Sequence, residues 1–279
     1  IRARKPFQDV RAPRKKIPGG GEGMITIAIS NQKGGVGKTT TCVNLAAELG
    51  RLGYRTLAVD IDPQGNCTSG LGAVPATLET TLYDVLIGNT PVADAILGTK
   101  WENVFLLPSN IDLAGAELEL ASVLSRETQL RKHLAKLSGY DVALIDCPPS
   151  LGLLTINALV AAGKLVIPIQ CEYYALEGVG QLAHTIQLLR ESLNPQIGID
   201  GVLLTMFDGR TNLSNEVAEE VRRQFPEAVF GTVIPRNVRL SEAPSYATPA
   251  TYYDPACTGS LAYVGFAKEV AARWLVREP

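Results

Sequence analysis

Residues 24–40 read MITIAISNQKGGVGKTT, and this stretch decides the fold. Ile25, Ile27 and Ile29 with Ala28 make an apolar, β-branched run of strand length, which predicts a short buried strand. Gly34, Gly35 and Gly37 follow, able to take backbone angles that a side chain forbids, so consecutive N–H groups can turn inward around an anion. Lys38 supplies a point charge for β/γ-phosphates, Thr39 a hydroxyl for Mg²⁺, and the helix starting there offers its positive end. The pattern is that of a loop holding a nucleoside triphosphate, lined by Lys33, Gly34, Gly35, Val36, Gly37, Lys38, Thr39 and Thr40.

Two acidic motifs extend the site. The run VDIDPQGN places Asp60 and Asp62 two residues apart at the end of a second apolar strand, where carboxylates need a cation, a water or a partner to face. Asp62 is read as the group that orients an attacking water next to the Mg²⁺ shell, with Asp60 as its support; ordinary loop acids are the plainer alternative. In ALIDCPPS, four positions end on Asp146 in the Walker B manner, a carboxylate for Mg²⁺, and Pro148 and Pro149 stiffen the turn after it.

The glycine loop departs from the general pattern at one position. Gln32 stands where G-x-x-x-x-G-K-[ST] wants glycine, and Lys33 stands beside it. This arrangement resembles the deviant Walker A motif, whose extra lysine reaches into the nucleotide site of a second subunit.

Composition bounds the rest. A hydrophobic share of 46% with 19% charged residues is that of a globular chain able to bury a large core. Residues 1–23 carry seven basic and two acidic side chains, +5, against −2 for the whole chain, so residues 24–279 carry −7. With Pro6, Pro13, Pro18 and the run Gly19–Gly21, residues 1–23 are expected to be a disordered basic tail, and residues 24–279 one phosphate-loop domain. Such a tail suits nucleic acid or an acidic surface, or solvation alone. Five scattered cysteines without a C-x-x-C pair suggest neither disulfides nor zinc and point to a reducing cytoplasm. The most apolar stretch, 151–169, is broken by Thr155, Asn157, Lys164 and Pro168, so no membrane span is expected.

Strands and helices alternate along the chain. Helices are expected at 38–51, 82–86, 112–137, 151–162, 175–192, 213–224 and 260–276, and strands at 56–60, 104–107, 142–145, 165–169 and 202–206, with a loop through Gly65–Gly70. The fold class is therefore α/β, a doubly wound, mostly parallel sheet flanked by helices, with ligands along the strands' carboxyl edge. A cluster of Arg210, Arg222, Arg223, Arg236 and Arg239 in an otherwise acidic domain suits DNA phosphates, most of all Arg210 and Arg239. Tyr173 and Tyr174 are taken as packing residues, and His133 and His184 as histidines without metal-like neighbours.

Together the runs KGGVGKTT, DIDPQGN, LIDCPPS, CEYYALEG, TMFDGRTNL and IPRNVRLSEAPS resemble the ParA/Soj family of chromosome-partitioning ATPases, from Met24 to the C-terminus. The resemblance implies a P-loop NTPase of deviant Walker A type that takes Mg²⁺ and ATP and forms an ATP-dependent homodimer. It also implies binding to double-stranded DNA without sequence preference, a ParB-like centromere-binding partner that stimulates hydrolysis, and a cytoplasmic, nucleoid-associated location without a membrane. By position it makes Lys33 the lysine that crosses to the partner and Gly34 the glycine of close subunit approach. Lys38, Thr39, Asp62 and Asp146 match the catalytic and Mg²⁺ groups, Arg210 and Arg239 the DNA surface, and Pro235 and Asn237 a segment bordering adenine. Three rivals remain: a MinD-like membrane-cycling ATPase, an electron carrier like the nitrogenase iron protein, and a small-molecule ligase on the same scaffold.

Overall fold

The computed structural model describes residues 23–172 and 177–275. Residues 1–22 of the expected basic tail, Tyr173 and Tyr174, and Val276 at the end of the last helix lie outside them.

Strands Ile25–Ile29 (β1), Thr56–Asp60 (β2), Leu97–Gly98 (β3), Val104–Leu107 (β4), Val142–Asp146 (β5), Lys164–Gln170 (β6), Gly201–Phe207 (β7) and Val229–Pro235 (β8) form one sheet. Its order is β3-β4-β2-β5-β1-β6-β7-β8, and every pairing is parallel except β3 on β4. Helices are Lys38–Arg51 (α1), Asn66–Gly70 (α2), Leu82–Leu86 (α3), Val92–Ala95 (α4), Leu113–Leu120 (α5) and Gln129–Leu134 (α6). In the second half follow Leu153–Ala161 (α7), Glu177–Ser192 (α8), Asn212–Gln224 (α9), Val238–Glu242 (α10), Ala250–Tyr253 (α11) and Thr258–Trp274 (α12).

The strands are apolar throughout because both faces of the sheet are covered. Leu57, Val59, Ala143, Ile145, Leu165 and Ile167 bury one face, packed with residues of α3, α5, α6, α7, α8 and α9. Alternate residues, Ala58, Val142, Leu144 and Val166, bury the other with α1 and α12. The last helix spends its apolar side on the fold, with Tyr263, Phe266, Ala267 and Val270 buried and Phe266 edge-on to Phe230 of β8 at 4.8 Å.

Three expectations need correction. The loop through Gly65–Gly70 holds the helical turn α2, started by Gly65 in the left-handed region and fastened to Asp60 through Thr68. The single helix expected at 112–137 is two, α5 and α6, separated by Ser125 at φ 53° and a 3₁₀ turn at Arg126–Thr128. Asn157 of α7 makes that break possible, accepting from Leu130 N–H at 3.1 Å and donating to Arg126 C=O at 2.8 Å. Leu118 of α5 and Leu124 after it, on the leucine spacing of this stretch, are 82% and 91% exposed. Finally, β8 was not foreseen; Gly231 and Pro235 weaken its strand signature, and Glu269 of α12 supplies acceptors for its Gly231 and Thr232 N–H groups at 2.8 and 3.0 Å.

Candidate active site at the carboxyl edge

Strand β1 lies mid-sheet between β5 and β6, where the strand order reverses, and the glycine loop leaves its carboxyl end. Asn31 anchors the loop's start, donating to Pro168 C=O on β6 at 2.8 Å and accepting from Lys33 N–H at 3.0 Å. Gly35 and Gly37 stand at φ 74° and 91°, so a side chain at either is strained. At Gly34 and Gly35 no heavy atom lies within 4 Å of where a Cβ would be. Packing among the described residues thus gives Gly34 no reason to be glycine.

Lys38 folds back over the loop and donates to Lys33 C=O at 3.0 Å. Burial holds its ammonium pKa below the usual value, against the opposing pull of Asp146. The Lys33 side chain is only partly buried, and among the described residues its ammonium has no hydrogen bond or ion pair.

The three acids divide their work. Asp60 and Asp146 are register partners on adjacent strands, both fully buried. Asp60 is committed to structure: one oxygen accepts from Thr68 N–H and Oγ1, each at 2.7 Å, and the other from Asp62 N–H at 3.2 Å. Burial pushes its pKa up to about 6. Asp146 accepts from Thr39 Oγ1 at 2.7 Å through one oxygen, while its other oxygen is buried with no partner among the described residues. Its pKa is driven well above the carboxylate range by burial first and by Asp60 next. A desolvated carboxylate with a free oxygen next to a threonine hydroxyl fits a hard divalent cation that keeps most of its oxygen ligands from phosphate and water. Asp62, largely buried, accepts from Gln64 N–H at 3.0 Å, which closes the turn over which its carboxylate stands.

The same edge continues across β7 and β8. The turn after β7 carries Arg210, whose Nε and Nη2 clasp Asp208 at 2.9 and 2.7 Å; this chelation holds the Asp208 pKa down to about 2. Arg239, in α10 after β8, pairs with Glu242 at 2.7 Å and Asp254 at 3.3 Å. Pro235 ends β8, level with Phe207, and Asn237 caps α10, accepting from Arg239 N–H at 2.8 Å and donating to Thr258 Oγ1 at 2.9 Å. The arginines thus reach the edge with their charges already neutralised by neighbours.

Sequence reasoning overlooked two supports. Thr68 joins α2 to Asp60 and accepts from Ser109 N–H at 2.9 Å. Thr205 of β7 donates to Val36 C=O in the glycine loop at 2.9 Å. The available signal for Thr205 was a polar residue within the apolar run GVLLTMF.

A family model for an AAA domain matches residues 24–199. The sporulation initiation inhibitor protein Soj of Bacillus subtilis is 57% identical over 247 residues, 88% of this chain and 98% of the relative. The chromosome partitioning protein ParA of Caulobacter vibrioides is 50% identical over 253 residues, 90% and 95% of the two chains. Among solved structures, cobyrinic acid a,c-diamide synthase from Mycobacterium smegmatis with bound ADP and magnesium is similar at a TM-score of 0.79 and 39% identity, covering 92% of this chain and 98% of that one.

Proposed function

The chain belongs to the Soj/ParA family of chromosome-partitioning ATPases, and from that premise we propose how it couples ATP to DNA. Residues 24–279 act as one ATPase domain that binds Mg²⁺ and ATP, pairs with a second copy, holds double-stranded DNA without sequence preference, and lets go after hydrolysis.

Lys38 and the N–H groups of residues 34–40 hold the triphosphate, with the end of α1 adding its partial positive charge. Thr39 and Asp146 would hold Mg²⁺, which would supply positive charge against the charge that develops on the phosphates. Asp62 orients the attacking water, with Asp60 fixing the Asp62 main chain through its bond to the Asp62 N–H. Lys33, whose ammonium is unpaired among the described residues, reaches the partner's phosphates, and Gly34 leaves room for that approach. Pro235 and Asn237 border the adenine. Arg210 and Arg239 exchange Asp208, Glu242 and Asp254 for DNA phosphates, contacts that give affinity without sequence information. A ParB-like protein stimulates hydrolysis, and the working location is the cytoplasmic nucleoid.

The observation that carries this reading is the shared edge: the glycine loop and both arginines stand at the carboxyl ends of parallel strands of one sheet. Membrane cycling is the poorer fit. The apolar side of α12 is buried in the fold, and no helix among the described residues is long and apolar enough to cross a membrane.

Retention on nonspecific DNA, measured with ATP, ADP and no nucleotide over a salt series, tests the proposal. ATP should strengthen retention, and retention should weaken steeply as salt rises. Equal retention in all three states would refute it. ATP-dependent sedimentation with liposomes would instead favour the membrane reading.

A further inference from the structure

Strand β7 touches the glycine loop at Thr205 and meets Arg236 two residues later, at Phe207. Thr205 is 2% exposed, and its hydroxyl reaches over β6 to donate to Val36 C=O at 2.9 Å. Its methyl stands 3.8 Å from where a Gly37 Cβ would be, an ordinary van der Waals contact with the loop. The loop is thereby fixed at its start by the bond from Asn31 to Pro168 of β6 and at its crest by Thr205 of β7.

The next residue, Met206, has φ 50°, a left-handed conformation that suits glycine and strains methionine. The pairing of β7 with β8 shifts register across this point, between Leu204 and Phe207. Immediately beyond, Phe207 C=O accepts from Arg236 N–H at 3.0 Å, and Asp208 clasps Arg210. A strained backbone persists only where its surroundings hold it. What holds this one is the loop contact on one side and the β8 contacts on the other.

We propose that Thr205 is a positioning residue for the phosphate loop and that the kink at Met206 transmits the loop's position to the Arg210 turn. The first half concerns the ATPase reaction itself; the second rests on the DNA-binding reading given above. In this scheme the kink is the element with two arrangements. A loop drawn toward bound phosphates pulls on Thr205, and the turn after Met206 changes how Asp208 holds Arg210.

Full-length Thr205→Val, Thr205→Ser and Met206→Gly proteins decide the matter. Valine keeps the shape and removes the donor, so KM for ATP should rise about threefold to tenfold, the effect of one hydrogen bond. At saturating ATP its DNA retention should lose the preference for ATP over ADP, and Thr205→Ser should restore both properties. Met206→Gly should leave KM and kcat alone yet narrow the ATP-over-ADP preference, because glycine no longer stores strain there. An unchanged KM in Thr205→Val overturns the positioning role. A wild-type ATP-over-ADP ratio in both Thr205→Val and Met206→Gly overturns the coupling. If wild-type protein itself shows no ATP preference on DNA, the DNA-binding reading fails and takes the coupling with it, while KM still decides the positioning role.

Discussion

Replacing Asp146 by asparagine should make the nucleotide-free protein more stable and destroy its response to Mg²⁺ and ATP. The amide keeps the shape and can still accept from Thr39 Oγ1, but it removes an acid that is fully buried, next to Asp60, with one oxygen unpartnered. Relieving such a group is worth about 1–2 kcal/mol. For a domain of this size that is a rise in Tm of about 2–8 °C. The opposite sign appears with ligand: at 100 times Kd, wild-type protein gains about 2.7 kcal/mol from binding. If the substitution weakens binding about 100-fold, the same ligand concentration stabilises the variant by only about 0.4 kcal/mol. Thermal unfolding of both proteins, with and without Mg²⁺ and ATP, reads both quantities. A variant that melts below wild type without nucleotide, or that gains as much as wild type with it, would refute the reading of Asp146 as a cation ligand held at the expense of stability.

Lys38→Ala should fail to bind a fluorescent ATP analogue, whereas Lys33→Ala should bind it and remain monomeric in ATP by light scattering; a normal dimer would remove Lys33 from the subunit interface. Asp62→Ala should dimerise in ATP without releasing phosphate, so turnover near the wild-type rate would deny its role with the attacking water. Asn157→Leu should cost about 2–5 kcal/mol in urea unfolding, because Leu130 N–H and Arg126 C=O lose their buried partner. The last prediction concerns pH: Asp60 holds its proton up to about pH 6 when folded but only to about 3.8 when unfolded, so the folded state binds more protons in between. Stability without nucleotide should therefore fall as pH rises from about 4 to about 6, and Asp60→Asn should lessen that slope, with Asp146, also raised by burial, supplying the remainder; a rise over the same window would contradict the burial argument.

Much of the fold is legible because its signals are local. The helix expected at 38–51 and the strand at 56–60 coincide with α1 and β2, since a glycine loop, helical spacing and β-branched runs act over a few residues. Gly53, at φ 86°, is the residue that ends α1, while Gly50 sits inside it, where Glu102 C=O and Val104 leave no space for a Cβ. The break between α5 and α6 was not legible. The leucine spacing is continuous through it, and the group that pays for the interruption, Asn157, lies far away in the chain.

The residue types that meet phosphate and Mg²⁺, the alternation that makes a parallel sheet, and the family to which the chain belongs were all determined by the sequence alone. Each is written in short runs whose chemistry does not depend on what lies opposite. Tertiary structure decided the rest, because burial and partnership are properties of neighbours. It made Asp60 a fastening for α2 and left Asp146 with an unpaired oxygen, although both end apolar strands. It set Asp254 beside Arg239, and it set Thr205 of β7 against the glycine loop of β1, a contact between residues 169 positions apart.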